Sequence, residues 1–183
     1  HREPGLGVAR PGPRDAGVRA AVRPDRGQRP ARALCYRAEP DEPIFRRQNE
    51  VWEPIVAGIE AEHGIALTRT HGILHRPQSE ESLGALRQRL QGESPFVLAG
   101  LDTAASLAAS LCIALAGLRE EADHAALWSA ANLEQDWQAE RWGTDEEAMA
   151  RRNEREADFT RALTFARAAR AAKRRAAARR ARR

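Results

Sequence analysis

The chain is poor in the residues that advertise a particular chemistry. It has two cysteines, one methionine and five histidines among 183 residues. Cys35 and Cys112 lie far apart and make no disulfide framework, and nothing else points to an oxidising compartment. Cys112 sits in an apolar helical run, where a thiol packs as a small hydrophobe. His71 and His75 are four apart, but no helix is expected there. No carboxylate or cysteine stands at ligand spacing, so no metal site is assigned. A glycine-rich phosphate loop, a nucleophile elbow, a zinc signature and a catalytic cysteine–histidine pairing are all missing. The sequence therefore assigns no cofactor and no catalytic residue, and the expectation is a protein that is not an enzyme.

Long apolar runs are missing too. The longest lies within 95–118 and is interrupted by Gly100, Asp102, Thr103, Ser106 and Ser110. That suits a buried helix better than a membrane span, and no membrane insertion is expected. No signal-peptide pattern opens the chain. The first residue is His1 and not Met, so the chain reads as a fragment.

Charge is plentiful but segregated. The formal net charge is +4. Residues 1–33 hold eight Arg against three acids, and residues 167–183 hold eight Arg and one Lys with no acid. These ends carry +5 and +9, which leaves −10 on residues 34–166. An acidic body thus bears two basic ends. Residues 1–33 contain Pro4, Pro11, Pro13, Pro24 and Pro30 and show no periodicity, so they are expected to be disordered. Such a segment reads either as a basic tail or as an out-of-frame translation of GC-rich DNA. The Arg/Ala tail, 167–183, has helical propensity but no apolar face, so it should be solvated unless an acidic partner holds it.

The body reads as helices. Ile44, Phe45, Gln48, Val51, Trp52, Ile55, Val56 and Ile59 recur in steps of three and four, with Asp41 as the expected cap and Gly64 as the stop. Pro54 should kink or restart this helix. Residues 65–71 alternate as a short strand or extended connector. A helix opens at Ser79 and ends at Gly92. The most apolar helix then runs from Pro95 to about Leu118 as the central core element. Asp123 caps a helix reaching Trp142, and a surface helix with one weak stripe runs from Asp145 to about Arg170. The expected fold is mainly α: a compact bundle of about five to six helices with at most one or two short strands.

The stretch 133–147 carries more than a helix end requires. Gly143 suits the left-handed residue after a helix, and Thr144 with Glu147 has the spacing of a capping box. Glu134, Gln138 and Trp142 repeat at steps of four and share a face, with Asp136 and Glu140 in an acidic row beside them. Two tryptophans among carboxylates and an amide read either as a core edge with a solvated back or as a recognition surface.

Leu133, Glu134, Asp136, Trp137, Gln138, Trp142 and Gly143 together resemble the signature of the assembly chaperones that bind the α subunit of F-type ATP synthase, found in mitochondria and alphaproteobacteria. Leu34-Cys35-Tyr36-Arg37-Ala38 is similar to that family's Leu-Cys-Tyr-Arg-Ala segment. Gln48 with Trp52-Glu53-Pro54 is similar to its Gln…Trp-(Asp/Glu)-Pro step. The resemblance covers about 34–166. Where the family commonly has Ser-Gly-Ser this chain has Ala108-Ala109-Ser110, and Asp102-Thr103 stands where His-Asp is common. The family's N-terminal β-rich domain and any counterpart of the Arg-rich C-terminus are not matched, which leaves the helical C-terminal domain.

Composition sets off 1–33 and the basic tail at 167–183, and the resemblance implies a helical chaperone domain at 34–166 between them. It implies a non-enzymatic role, shielding the unassembled α subunit before it meets β. The partner-binding residues would be Glu134, Asp136, Gln138 and Trp142, with Trp52, Pro54, Trp137 and Gly143 structural; the capping-box spacing makes Thr144 and Glu147 structural as well. The implied compartment is bacterial cytoplasm, or mitochondrial matrix in a eukaryote. The alternative from another class is a nucleic-acid-binding protein using the Arg-rich ends, with steep salt dependence. The acidic body argues against a nucleic-acid groove on the domain itself.

Overall fold

In the computed structural model, residues 33–73 and 76–183 are described. The expectations for 1–32 and for His75 lie outside these residues. A short 3-10 turn, Ala33–Cys35, leads into β1 (Tyr36–Arg37). Then follow α1 (Pro43–His63), β2 (Thr70–His71), α2 (Glu80–Gln91), α3 (Pro95–Ala108) and α4 (Leu111–Gly117). The chain continues through α5 (His124–Ala131), α6 (Leu133–Trp142) and α7 (Glu146–Ala181). The mainly α expectation holds. Two expected helices are each broken in two, which gives seven α-helices among the described residues.

The two strands pair in parallel, Tyr36 with Thr70 and Arg37 with His71. Parallel strands need a long crossover, and α1 supplies it. Only Thr70 and His71 of the expected 65–71 stretch are strand. α1 begins at Pro43, where a missing N–H costs nothing, and its cap position is Glu42 without a side-chain bond, so Asp41 is not the cap. Pro54 neither kinks the helix into two nor restarts it: α1 runs unbroken through Pro54, which lies on the exposed side. Gly64 ends the helix at φ 63°, as its position promised.

The first break falls inside the apolar run. Ala109 takes φ 51° and ψ 31°, and the Ser110 hydroxyl accepts from the Ile113 N–H to cap a new helix. The Ser110 N–H donates back to the Ala105 carbonyl at 3.0 Å, closing a Schellman-type end. Every residue of α4 is buried, so the turn folds the apolar run back on itself. The second break is at Asn132, between α5 and α6. Asp123 does cap α5, accepting from the Ala126 N–H at 3.0 Å.

α7 is more than a weak surface stripe. Phe159, Leu163 and Ala166 are fully buried against α3, α4 and α5, whereas Met149 and Phe165 stay largely exposed. Gly100 on α3 permits this close approach: a Cβ there would sit 2.7 Å from the Ala162 carbonyl oxygen and 2.9 Å from Ala166 Cβ. The cap of α7 is Asp145, which accepts from the Ala148 N–H at 2.6 Å. Thr144 therefore does not form a capping box with Glu147; its hydroxyl donates to the Asp145 carbonyl, and Glu147 pairs with Arg151. α7 also runs well past Arg170, so the basic tail is a continuation of this helix. Its first turn touches the body, because Arg170 pairs with Glu93 at 2.6 Å and Lys173 donates to the Gly92 carbonyl.

Candidate functional site

The site is α6 and the two grooves beside it. α6 starts at the buried Leu133, and Gly143 ends it with φ 77° and ψ 173°. This is positive φ, as expected, but an extended conformation and not the left-handed helical one. Glycine is the residue that adopts it freely. The Gly143 N–H donates to the Ala139 carbonyl at 2.8 Å. The extended step lets α7 leave at an angle and opens a groove of about 1110 Å³ between the two helices. Trp128, Asp136, Ala139, Trp142, Met149 and Arg152 are among its walls.

A second groove, about 790 Å³, lies on the other side of α6 against β1 and the turn after β2. Tyr36, Ile44, Ile73, Glu134 and Trp137 line it. Gln138 and Trp142 border both grooves. Trp142 is 79% exposed, so it is not a core residue. Trp137 is half-buried, with the Arg141 guanidinium 4.5 Å above its ring.

The four expected partner-binding residues are brought together, but they are not equivalent. Gln138 and Trp142 are exposed. Glu134 has a structural duty as well. Its Oε1 accepts from Gln48 Nε2 at 3.1 Å, and the Oε1 of that same buried glutamine accepts from the Ala38 N–H at 2.7 Å. Gln48 thereby ties α6 to the segment after β1. Asp136 pairs with Arg152 on α7 at 2.8 Å. Burial raises its carboxyl above the ordinary range, against the pull of Arg152, while the neighbouring Glu140 raises it further. The pair ties α6 to α7.

Trp52 lies in the core beneath α6. It is 3% exposed, and its Nε1 donates to the Ala130 carbonyl at 2.8 Å. It thus anchors α1 to the end of α5, just below α6. Next to it, Arg69 reaches Glu53 at 2.6 Å and Glu60 at 2.7 Å, and the buried Arg37 reaches Glu53 at 2.7 Å. The Arg69 hydrogen bonds are the main cause holding both carboxyls below the ordinary glutamate range. This network clamps both strands to α1.

Sequence reasoning missed Arg152, Met149 and Ile73 as parts of the site. Ile73 is fully exposed at its turn, and only the fold brings it to the groove that Trp142 also lines. Gln48 did leave a signal, being an amide at an otherwise apolar position of the α1 stripe. No cluster of metal-ligating side chains occurs among the described residues.

The fold has solved counterparts. Atp12 from Paracoccus denitrificans superposes with a TM-score of 0.73 at 30% identity, over 82% of this chain and 63% of that one. The chain is similar to Atp12. The D202K mutant of the Paracoccus Atp12 matches at 31% identity with the same TM-score. The Agrobacterium tumefaciens protein Atu1473, a candidate chaperone, matches with a TM-score of 0.74 at 31% identity, over 85% of this chain and 57% of that one. No family model matches the chain. The chain spans 63% or less of the length of these solved structures.

Proposed function

We propose that the chain is an assembly chaperone of F-type ATP synthase that binds the unassembled α subunit through α6. The observation that carries this reading is the α6 row itself. Glu134, Gln138 and Trp142 stand between two open grooves, with Trp142 almost wholly in solvent, on a chain similar to Atp12. Large aromatics held out of a core mark recognition surfaces, and acidic neighbours speed encounter with a basic or polar partner. A shielding role asks for a few strong anchors that a later subunit can displace. It asks for no bond chemistry, so the reading is non-enzymatic. No described helix is long and apolar enough to cross a membrane. On this reading the chain works where α meets β, in bacterial cytoplasm or, in a eukaryote, the mitochondrial matrix.

The test is capture of separately expressed α and β subunits by the full chain. The expected result is retention of α and not β. Trp142→Ala and Gln138→Ala should weaken retention about tenfold or more while leaving stability unchanged, since both side chains are exposed. Glu134→Ala is the poorer probe, because it also unties Gln48. Undiminished α binding by the double variant Gln138→Ala/Trp142→Ala would remove this surface. Failure of the intact folded chain to retain α would remove the reading.

A further inference from the structure

The far end of α7 has a surface that the α-subunit reading does not use. No acidic residue follows Asp158 in the chain. Body contacts end near Lys173, and from Ala172 to Arg183 every residue is exposed. Six arginines (174, 175, 179, 180, 182 and 183) therefore stand on a helix end that projects about 12 Å beyond the last contact. One face of the helix carries Phe165, Ala168, Ala172, Arg175 and Arg179 in steps of three and four. At the base of this face Phe165 meets Phe96 of α3 edge to face, ring centres 6.3 Å apart, and the two are 51% and 64% exposed.

We propose that this face binds single-stranded nucleic acid, with the arginines on phosphates and the phenylalanine pair under unstacked bases. This is independent of the chaperone reading. Cationic tracks beside exposed aromatics are how non-sequence-specific proteins hold single strands. Arginine suits the task better than lysine, because its planar fork pairs with phosphate oxygens and also stacks on bases. The alanines between leave room for a strand to lie against the helix. A membrane surface fits less well, since the arginine end has cations all round and lacks the broad apolar face of an interfacial helix. A duplex offers no free base faces to Phe96 and Phe165. The acidic first turn of α7 does not cancel the charge. It lies roughly 50 Å away along a 36-residue helix, several times the screening length at physiological salt.

The test is fluorescence anisotropy of labelled oligouridine and oligothymidine, about 15 nucleotides long, with the full chain. Either strand should bind, and their ratio tells whether the 2′-hydroxyl is read. Neutralising about five phosphates should weaken binding about 100-fold between roughly 50 and 200 mM salt. The triple variant Arg175→Glu/Arg179→Glu/Arg180→Glu should abolish binding with helicity unchanged. Phe165→Ala should weaken it at least about fivefold without altering the salt slope. The proposal is overturned if the folded chain binds neither strand. It is equally overturned if Phe165→Ala binds like the parent and heparin competes as a generic polyanion. Capture by phosphatidylglycerol vesicles without oligonucleotide binding would assign the face to membranes instead.

Discussion

Replacing Ala109 by glycine should stabilise the protein. Ala109 is the one non-glycine residue with positive φ among the described residues, at φ 51° and ψ 31°. A Cβ in this left-handed conformation costs roughly 1–2 kcal/mol through its contact with the backbone carbonyl. Glycine removes that cost but adds about 0.4–1 kcal/mol of unfolded-chain entropy. The side chain is exposed, so its loss opens no cavity. The balance is a gain of about 0.5–1 kcal/mol. In urea, with a slope near 2 kcal/mol/M, the midpoint should rise about 0.2–0.5 M at unchanged slope. In a thermal scan Tm should rise about 1–4 °C. Ala108→Gly is the control: Ala108 is buried and helical, so glycine there should cost about 1 kcal/mol. Two adjacent, chemically identical substitutions should thus move the midpoint in opposite directions. A lowered midpoint for Ala109→Gly would refute the left-handed assignment and the helix break built on it. The resemblance drawn from the sequence has glycine at this position, and the turn geometry supplies a physical reason for it.

Gln48→Leu should cost about 1–3 kcal/mol in urea unfolding, because the Ala38 N–H loses its acceptor; a neutral result would mean that water replaces the amide. Trp52→Phe should cost about 1–2 kcal/mol through loss of the bond to the Ala130 carbonyl, read from the same transition. Glu53 and Glu60 have folded-state pKa values below their unfolded ones, so the unfolded chain binds more protons in acid. Their contribution is complete at neutral pH and fades as pH falls through the lowered values. Arg69→Leu should lower stability at neutral pH and flatten this acid-side loss, and an unchanged profile of midpoint against pH would argue against the network. Both thiols should resist an aromatic disulfide reagent in the folded protein and react on unfolding. Cys35 and Cys112 are buried, and burial pushes the Cys112 thiol up to about 12.

Legibility followed the physical nature of each signal. The stop of α1 is readable because Gly64 acts through its own backbone, whereas the cap falls one residue past Asp41, at Glu42. The core stripe of α1 was readable from its three-and-four spacing. The break after Ala108 was not, because alanine has the highest helix propensity and nothing local forbids continuing. The turn exists because folding the run back buries all of α4. Thr144 and Asp145 both fit the cap preference, so residue type alone does not separate them, and the fold puts Asp145 at the cap. The depth of the α7 stripe was hidden for another reason. Its last buried residue, Ala166, is small, and its close packing depends on Gly100, more than sixty residues away.

By itself the sequence determined the helical class, the charge separation and the common face of Glu134, Gln138 and Trp142, since these follow from residue type and the 3.6-residue repeat. It also supplied the resemblance that the Atp12 structures bear out. Which side of α6 faces water was a tertiary matter. Trp52 and Trp142 are the same residue in similar amphipathic settings, yet one is sealed under α5 and the other stands in solvent. The difference is position: α1 crosses between the two strands and is covered on one side, whereas α6 is held at its base by Leu133 and Gln48 and left free at its tip. Hydrophobicity fixes how strongly a side chain seeks cover, and only the packed neighbours decide whether cover exists.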